Sequence, residues 1–431
     1  MRTFLVHNFG CRATQADGAA LEGLLRQQGL TSVDANASAD LVILNTCTVT
    51  ATADDEVRQI TRRVHRENPE ARILITGCYA QRAPEELAAL PGVNWVVGNS
   101  HKTQIPDLVA TAAPHFHGEI HIGDIFAQQE FLSAPIEDAA GDRTRPNLKV
   151  QDGCNNRCSF CIIPSVRGRS RSAKPEAILN QLRPLAERYR EVVLSGINLG
   201  RWGRDLDHRL RLADLVRLLL NETNVERLRL SSVEPMDFSD DLLRLMADSP
   251  RIAKHVHAPL QSGSDTVLRR MRRKYRPRHY EYRIRKAREW MPDAAIGADV
   301  MVGFTGETDA EFEESRRFIE SLPFTYLHVF TYSERPGTEA AALANQVPMP
   351  VRKQRNKVLR DLAAAKNLAF RQAMLGKSLS AVTLDGAGSA LSENYLKIDL
   401  TQPRPANTLA AVTIGSLTAQ GLREATPFPV L

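Results

Sequence analysis

The sequence of 431 residues is poor in cysteine, with six in all, so a disulfide-stapled scaffold is excluded. Sparse, clustered cysteines in a reducing compartment point instead to metal or redox chemistry. No stretch approaches the ~20 consecutive apolar residues that a membrane-spanning helix needs. The opening "MRTFLVHNFGC" is too short an apolar run, with the wrong flanks, for a secretory signal. The expectation is a cytoplasmic protein with no membrane partner. Internal repeats and low-complexity tracts are missing, which excludes solenoids and disordered tails. An acidic excess is missing too: the net charge of +6 favours a polyanionic partner without naming one. At roughly 100–200 residues per domain, the length allows two to four domains.

The pattern along the chain is predominantly α/β. In residues 1–112, strand-like "RTFLVHNFGC", "ADLVILNTC" and "ARILITGC" alternate with helical "GAALEGLLRQQG" and "DDEVRQITRRVHREN". Strand–helix–strand repetition predicts an open parallel sheet. Cys11, Cys47 and Cys78 each fall at the C-terminal end of one of these strands, the edge where open α/β sheets bind ligands. Residues 113–143 lose the repetition and read as a connector. Residues 144–374 hold six further strands, "NLKVQDG", "REVVLSGIN", "ERLRLSSV", "KHVHAPL", "IGADVMVGF" and "TYLHVFTYS", with helical stretches between them. That predicts a partial (β/α)6 barrel with its function at the C-terminal strand ends. One long helix is expected over 352–374. Residues 375–431 break into short β-patterned runs and predict a small β-barrel. Its Lys377, Lys397, Arg404 and Arg423 are balanced by Asp385, Glu393, Asp399 and Glu424.

Cys154, Cys158 and Cys161 form C-x3-C-x2-C in "CNNRCSFC". Three thiolates on a tight loop can hold three corners of an iron–sulfur cube and leave the fourth iron open to a small molecule. The alternative is a zinc site completed by a histidine or a distant cysteine. Cys11, Cys47 and Cys78 are either a second metal site or three ordinary buried thiols.

At this loop the chain resembles the radical S-adenosylmethionine (SAM) superfamily, in which the amine and carboxylate of SAM chelate the open iron and SAM is cleaved to a 5′-deoxyadenosyl radical. Phe160 matches the aromatic position beside SAM in that superfamily. Gly196, in "LSGINLG", lets the backbone pass close to SAM, and Gln261, in "PLQSGS", is a candidate SAM contact. Arg167, Arg169 and Arg171 follow the loop and are candidates for phosphates or the SAM carboxylate.

Further stretches, "NFGCRATQAD", "NTCTVTATADDEVRQITRR", "TGCYAQRAPEEL", "SSVEPMDF", "HAPLQSGSDTVLRRMRRKY", "MVGFTGETDAEFEES" and "FTYSERPGTEAA", resemble the methylthiotransferases. That family joins an N-terminal domain to a radical SAM barrel and a C-terminal TRAM barrel. The resemblance implies a second [4Fe–4S] cluster on Cys11, Cys47 and Cys78, hence two [4Fe–4S] clusters with SAM as cosubstrate. Thr48 and Val49 are most like the branch acting on carbon 2 of N6-threonylcarbamoyladenosine at tRNA position 37. The alternatives are the branches for N6-isopentenyladenosine or for a ribosomal-protein aspartate. From another class, a non-catalytic RNA-binding protein with structural zinc stays open. The expected partners are tRNA, an external electron donor and a sulfur source, with the protein acting as a monomer. Departures from the family pattern are "CRATQAD" for the commoner Cys-Lys-Val-Asn-Gln, Thr305 for the usual proline, and the weakly charged C-terminal domain.

Residues 269–290 carry eleven Lys or Arg against two Glu, with Tyr275, Tyr280, Tyr282 and Trp290 between them. Cations neutralise phosphates and aromatics stack on unpaired bases, so Arg272, Arg273 and Arg276 are candidate RNA contacts. A solvated helix face is the alternative. His255 and His257 share one face of a strand and are expected to pack or hydrogen-bond rather than bind metal.

Overall fold

A computed structural model describes residues 1–34, 37–111, 118–128, 144–384 and 388–426. The first unit is a parallel sheet of β1 (Thr3–Asn8), β2 (Thr31–Ser32), β3 (Leu41–Thr46), β4 (Arg72–Gly77), β5 (Val93–Gly98) and β6 (Glu119–His121), in the order β2-β1-β3-β4-β5-β6. Every residue of β3 is buried, as a central strand covered by helices on both faces requires. Successive side chains point to opposite faces. Leu41 and Ile43 therefore join Leu21 and Trp95 on one side, while Val42 and Leu44 join Val57 and Ile75 on the other.

Helix α1 (Arg12–Gln27) follows β1 with Cys11 as its N-cap, and α2 (Ala51–Glu67) follows β3. Thr50 caps α2 by accepting from the Ala53 amide at 3.2 Å. Cys78 opens the short α3 (Cys78–Arg82) directly after β4. Strand β6 lies in the stretch expected to be a connector. It pairs parallel with β5 and extends the first sheet, because "EIHIG" has enough strand character to use a free sheet edge. Residues 113–117 and 129–143 of that expected connector lie outside the described residues, as does Asp385.

The central unit has six parallel strands: β7 (Asn147–Asp152), β9 (Glu191–Gly196), β10 (Arg227–Leu230), β11 (His255–His257), β12 (Ala295–Val302) and β13 (Tyr326–Thr331). They form two half-sheets bridged at Leu228 and Ile252, with β8 (Arg171–Ser172) antiparallel on the β7 edge. Leu148, Val150, Leu194, Leu230, Val256 and Ile296 point outward into the helix layer. The alternate positions point into the barrel and include the polar Asn147, Lys149, Glu191, Arg227, Arg229, His255, His257 and Asp299. This is a partial barrel with a polar lumen.

The long helix Met349–Gln372 leads to a closed five-stranded barrel, β14 (Ser378–Thr383), β15 (Ser389–Ser392), β16 (Lys397–Asp399), β17 (Leu409–Leu417) and β18 (Leu422–Glu424), in the order β14-β15-β16-β18-β17. It docks on the floor of the lumen. Arg229 grips Glu191 at 2.7 and 2.9 Å and donates to the carbonyls of Ser392 and Glu393, and Arg227 donates to Ser380. Burial pushes the Glu191 carboxyl up, but Arg229, Arg145 and Arg227 outweigh it and hold the group at about 2.

Candidate active site

The loop of Cys154, Cys158 and Cys161 leaves the C-terminal end of β7. Gly153 has φ +70, and a Cβ there would collide with the Arg169 carbonyl, so only glycine makes this turn. The loop is pinned along its length. The Cys154 amide donates to Gly168 at 3.1 Å, the Ser159 amide to Met271 at 3.2 Å, and the Ala340 amide to Ser159 at 2.9 Å. Burial, then the neighbouring Cys158 sulfur, pushes the Cys161 thiol up to about 12, and burial raises Cys154. Such thiols lose their protons to a metal rather than to water. Donors already face the sulfurs, the Ile163 amide at Cys161 among them. The Asn156 amide and Asn198 Nδ2 lie 3.4 Å from Cys154 Sγ, and Arg273 lies 3.2 Å from Cys158 Sγ.

The second triad comes together because β1, β3 and β4 are neighbours in the sheet and end at the same edge. A Cβ on Gly10 (φ +87) would sit 2.8 Å from Cys47 Sγ, so the absence of a side chain lets the Cys11 and Cys47 loops close on each other. Cys47 is pushed up to about 12 by burial, then by the Cys78 and Cys11 sulfurs. Asn99 and Arg167 donate to Cys78 Sγ at 3.6 and 3.3 Å. All six cysteines are free thiols. Among the described residues no three Cys, His, Asp or Glu side chains close around a point for one metal ion. The thiols of each triad nevertheless perturb one another, a donor set that suits a group larger than a single ion.

Two expected RNA or phosphate ligands are corrected. Arg273 is buried, ion-paired with Glu234 and aimed at Cys158, so it has no surface to offer a phosphate. Arg167 is also buried. It bonds Asp152 at 3.0 and 3.1 Å and Asp17 at 3.1 Å, welding the barrel to the N-terminal domain. Tyr275 and Tyr280 are equally unavailable for stacking, since their hydroxyls donate to carbonyls of the β11 segment, Leu260 and Ala258, at 2.7 Å. Arg272 and Arg276 remain partly exposed, paired with Glu339 and Asp265. Arg171 donates to the Arg167 carbonyl at 2.8 Å.

The candidate SAM residues line the same end of the barrel. Phe160 packs edge-on to Phe304 at 6.4 Å. Gly196 ends β9 on the wall of a large cavity. Gln261 holds a left-handed φ of 66 while its carbonyl accepts from Met301 at 2.8 Å, a strained position for a non-glycine residue. Thr305, where the family usually has proline, is buried and donates to the Ala340 carbonyl at 3.2 Å.

The cavity, about 1070 Å³, is lined by all three units, among them Gly10 and Cys11, His255 and Tyr326, and Tyr395 and Lys397 of the C-terminal barrel. Val49, just past Cys47, and Ile163, just past Cys161, both border it. The Tyr326 hydroxyl lies 2.6 Å from His255 and 3.0 Å from His257, and His255 stacks on Tyr395 at 4.5 Å. Burial, then Arg229, pushes His255 well down, so it stays neutral. The histidines thus hydrogen-bond, as expected, but in a lumen wall rather than a core. Arg12, Arg145, Tyr326 and Tyr395 were not singled out from the sequence. Polar alternation in "RLRL", "HVH" and "YLHVF" is the signal that could have found the lumen.

Residues 148–319 match the family described as the radical SAM superfamily, and residues 3–98 match Uncharacterized protein family UPF0004. A threonylcarbamoyladenosine tRNA methylthiotransferase of Bacillus subtilis (strain 168) is 39% identical over 86% of this chain and 81% of its own. A tRNA-2-methylthio-N(6)-dimethylallyladenosine synthase of Thermobifida fusca (strain YX) is 34% identical over 90% and 79%. Among solved structures, the radical SAM methyltransferase TsrM from Kitasatospora setae, bound to cobalamin and a [4Fe–4S] cluster, aligns at TM-score 0.56 and 15% identity. The alignment covers 79% of this chain and 77% of that one, a likeness of fold.

Proposed function

Because the chain belongs to the radical SAM methylthiotransferase family, whose members use SAM and [4Fe–4S] clusters, we propose that it adds a methylthio group to carbon 2 of N6-threonylcarbamoyladenosine at tRNA position 37. When bound, SAM and its cluster supply the radical reactivity needed at an aromatic carbon with no acidic proton. The observation that carries the proposal is that the loops of both cysteine triads border one lumen large enough for a nucleoside.

In this reading Cys154, Cys158 and Cys161 hold the SAM-binding cluster, and Cys11, Cys47 and Cys78 hold the other. Arg273 and Arg167 each donate to one sulfur, hydrogen bonds that tune the bound group. Phe160, Gly196 and Gln261 form the wall for SAM. Residue 37 leaves its stack to enter the lumen, whose wall includes the rings of Tyr326, Tyr395 and His255. Arg272 and Arg276 are the phosphate contacts of the basic tract. The protein acts as a cytoplasmic monomer with an external electron donor and sulfur source.

The test is nucleoside mass analysis of tRNA from cells lacking this protein. The 2-methylthio form of N6-threonylcarbamoyladenosine should disappear while its unthiolated precursor accumulates. Loss of the 2-methylthio-N6-isopentenyl nucleoside instead would assign the other tRNA branch.

A further inference from the structure

Among the described residues the lumen carries unbalanced positive charge, its charged lining being Arg12, Arg145, Lys397 and Asp299. Asp299 lies 3.3 Å from His257, and Arg145 is paired with Glu191 at 3.3 Å. Arg12 has only neutral partners, Asn147 Oδ1 at 3.2 Å and the Tyr395 hydroxyl at 3.3 Å. Lys397 makes no ion pair among the described residues. Two cations, one from the first turn of α1 beside Cys11 and one from β16, therefore reach the same cavity without a counter-ion among the described residues. Holding a half-buried guanidinium without an anion costs free energy that a bound carboxylate offsets.

We propose that Arg12 and Lys397 form a recognition site for the carboxylate of the N6-threonylcarbamoyl group, and so determine which modified adenosine the lumen accepts. The inference rests on the substrate proposed above and deepens it. An N6-dimethylallyl group is hydrocarbon and would leave both cations unpaired, whereas a threonylcarbamoyl group ends in a carboxylate. Asn147 and the Tyr395 hydroxyl already fix the Arg12 fork, so little side-chain order is lost when the anion arrives. The same cations could meet a backbone phosphate of the RNA, and the experiment separates the two sources.

Three anticodon stem–loops would be compared on iron-loaded protein by fluorescence anisotropy: one with N6-threonylcarbamoyladenosine at position 37, one with its threonine carboxylate converted to the amide, and one with plain adenosine. The wild type should prefer the carboxylate over the amide by about tenfold or more, the range of a charge-assisted hydrogen bond lost in a cavity. Arg12→Gln should reduce that preference to below about threefold, and Arg12→Lys should restore part of it. Lys397→Gln, at an exposed position that does not threaten folding, should lower it by about threefold. A wild-type preference under about twofold would overturn the proposal. So would an Arg12→Gln protein that weakens on all three loops equally, which would mark a phosphate contact. Methylthiolation of the threonylcarbamoyl loop without a carboxylate preference would sink this inference alone and leave the substrate assignment standing. Methylthiolation of an N6-dimethylallyl loop in place of the threonylcarbamoyl loop would overturn both.

Discussion

The two cysteine triads are alike in composition and differ in how they are put together. Cys154, Cys158 and Cys161 sit on one loop, so local turn geometry brings them together: Gly153 starts the turn and the amides of Cys154 and Cys161 close it. Cys11, Cys47 and Cys78 are separated by whole strand–helix units and meet only because their strands are neighbours in one sheet. The first triad faces the mouth of the barrel at Asn198 and Arg273. The second grades from the exposed Cys11, which lines the lumen, to the buried Cys47 and Cys78. Each carries one guanidinium on one sulfur. Arg273 stays within the barrel, while Arg167 crosses from the barrel to the other domain's Cys78. In the function proposed above, a shared donor set serves two roles, one triad for SAM and the other beside the substrate.

The largest effect should come from breaking each triad in turn. Cys158→Ala should abolish cleavage of SAM to 5′-deoxyadenosine under dithionite in an anaerobic assay. Cys47→Ala should leave that cleavage detectable while methylthiolated tRNA falls below detection. Equal loss of both products in a folded Cys47→Ala protein would erase the division of labour.

The next effect concerns the guanidinium that joins the two domains. Arg167→Met removes a fully buried cation from Asp17 and Asp152; Lys102 and Lys149 still compensate both carboxylates, so the loss is that of its charge-assisted hydrogen bonds, about 2–3 kcal/mol, rather than that of a buried charge left alone. Thermal unfolding should show that loss, together with earlier melting of the N-terminal unit and poorer iron retention there than at the barrel triad. A cost under about 1 kcal/mol, the range of an exposed pair, would mean that Arg167 is not what holds the two units together.

A comparable effect, confined to acid pH, distinguishes the lumen floor from both triads. The folded Glu191 carboxyl lies at about 2 against an ordinary value of 4.5. Its contribution is therefore present above about pH 4.5 and is lost as pH falls toward 2, amounting to about 3 kcal/mol from a shift of this size. Chemical denaturation across that window should show the decline. Glu191→Gln, less stable at neutral pH, should flatten it. An acid limb that is unchanged in the variant would assign the decline to other carboxylates.

The polar positions of β10 and β11 show what could be read in advance and what could not. "ERLRLSSV" and "KHVHAPL" are plainly strands, and their outward Leu228, Leu230 and Val256 form the core expected of a barrel. The same strings give no sign that Arg229 and His255 face one another's surroundings across a lumen shared with Tyr395. Likewise the basic tract 269–290 reads as a surface, yet its Arg273 and Tyr275 turn inward, because a side chain's orientation on an outer element depends on which acid or carbonyl waits behind it.

Local sequence determined the strands and helices, the order of the three units and the loop of Cys154, Cys158 and Cys161. Hydrophobic period, turn glycines and close ligand spacing are properties of neighbours along the chain. Tertiary structure alone decided that Cys11 meets Cys47 and Cys78, that Arg167 and Arg273 are buried beside sulfur rather than exposed to RNA, and that Arg12 and Lys397 open into one cavity. The reason is physical. A cation has the same letter whether water or a carboxylate compensates it, and the groups that decide between the two, such as Asp17 for Arg167 and Tyr395 for Arg12, lie in other domains.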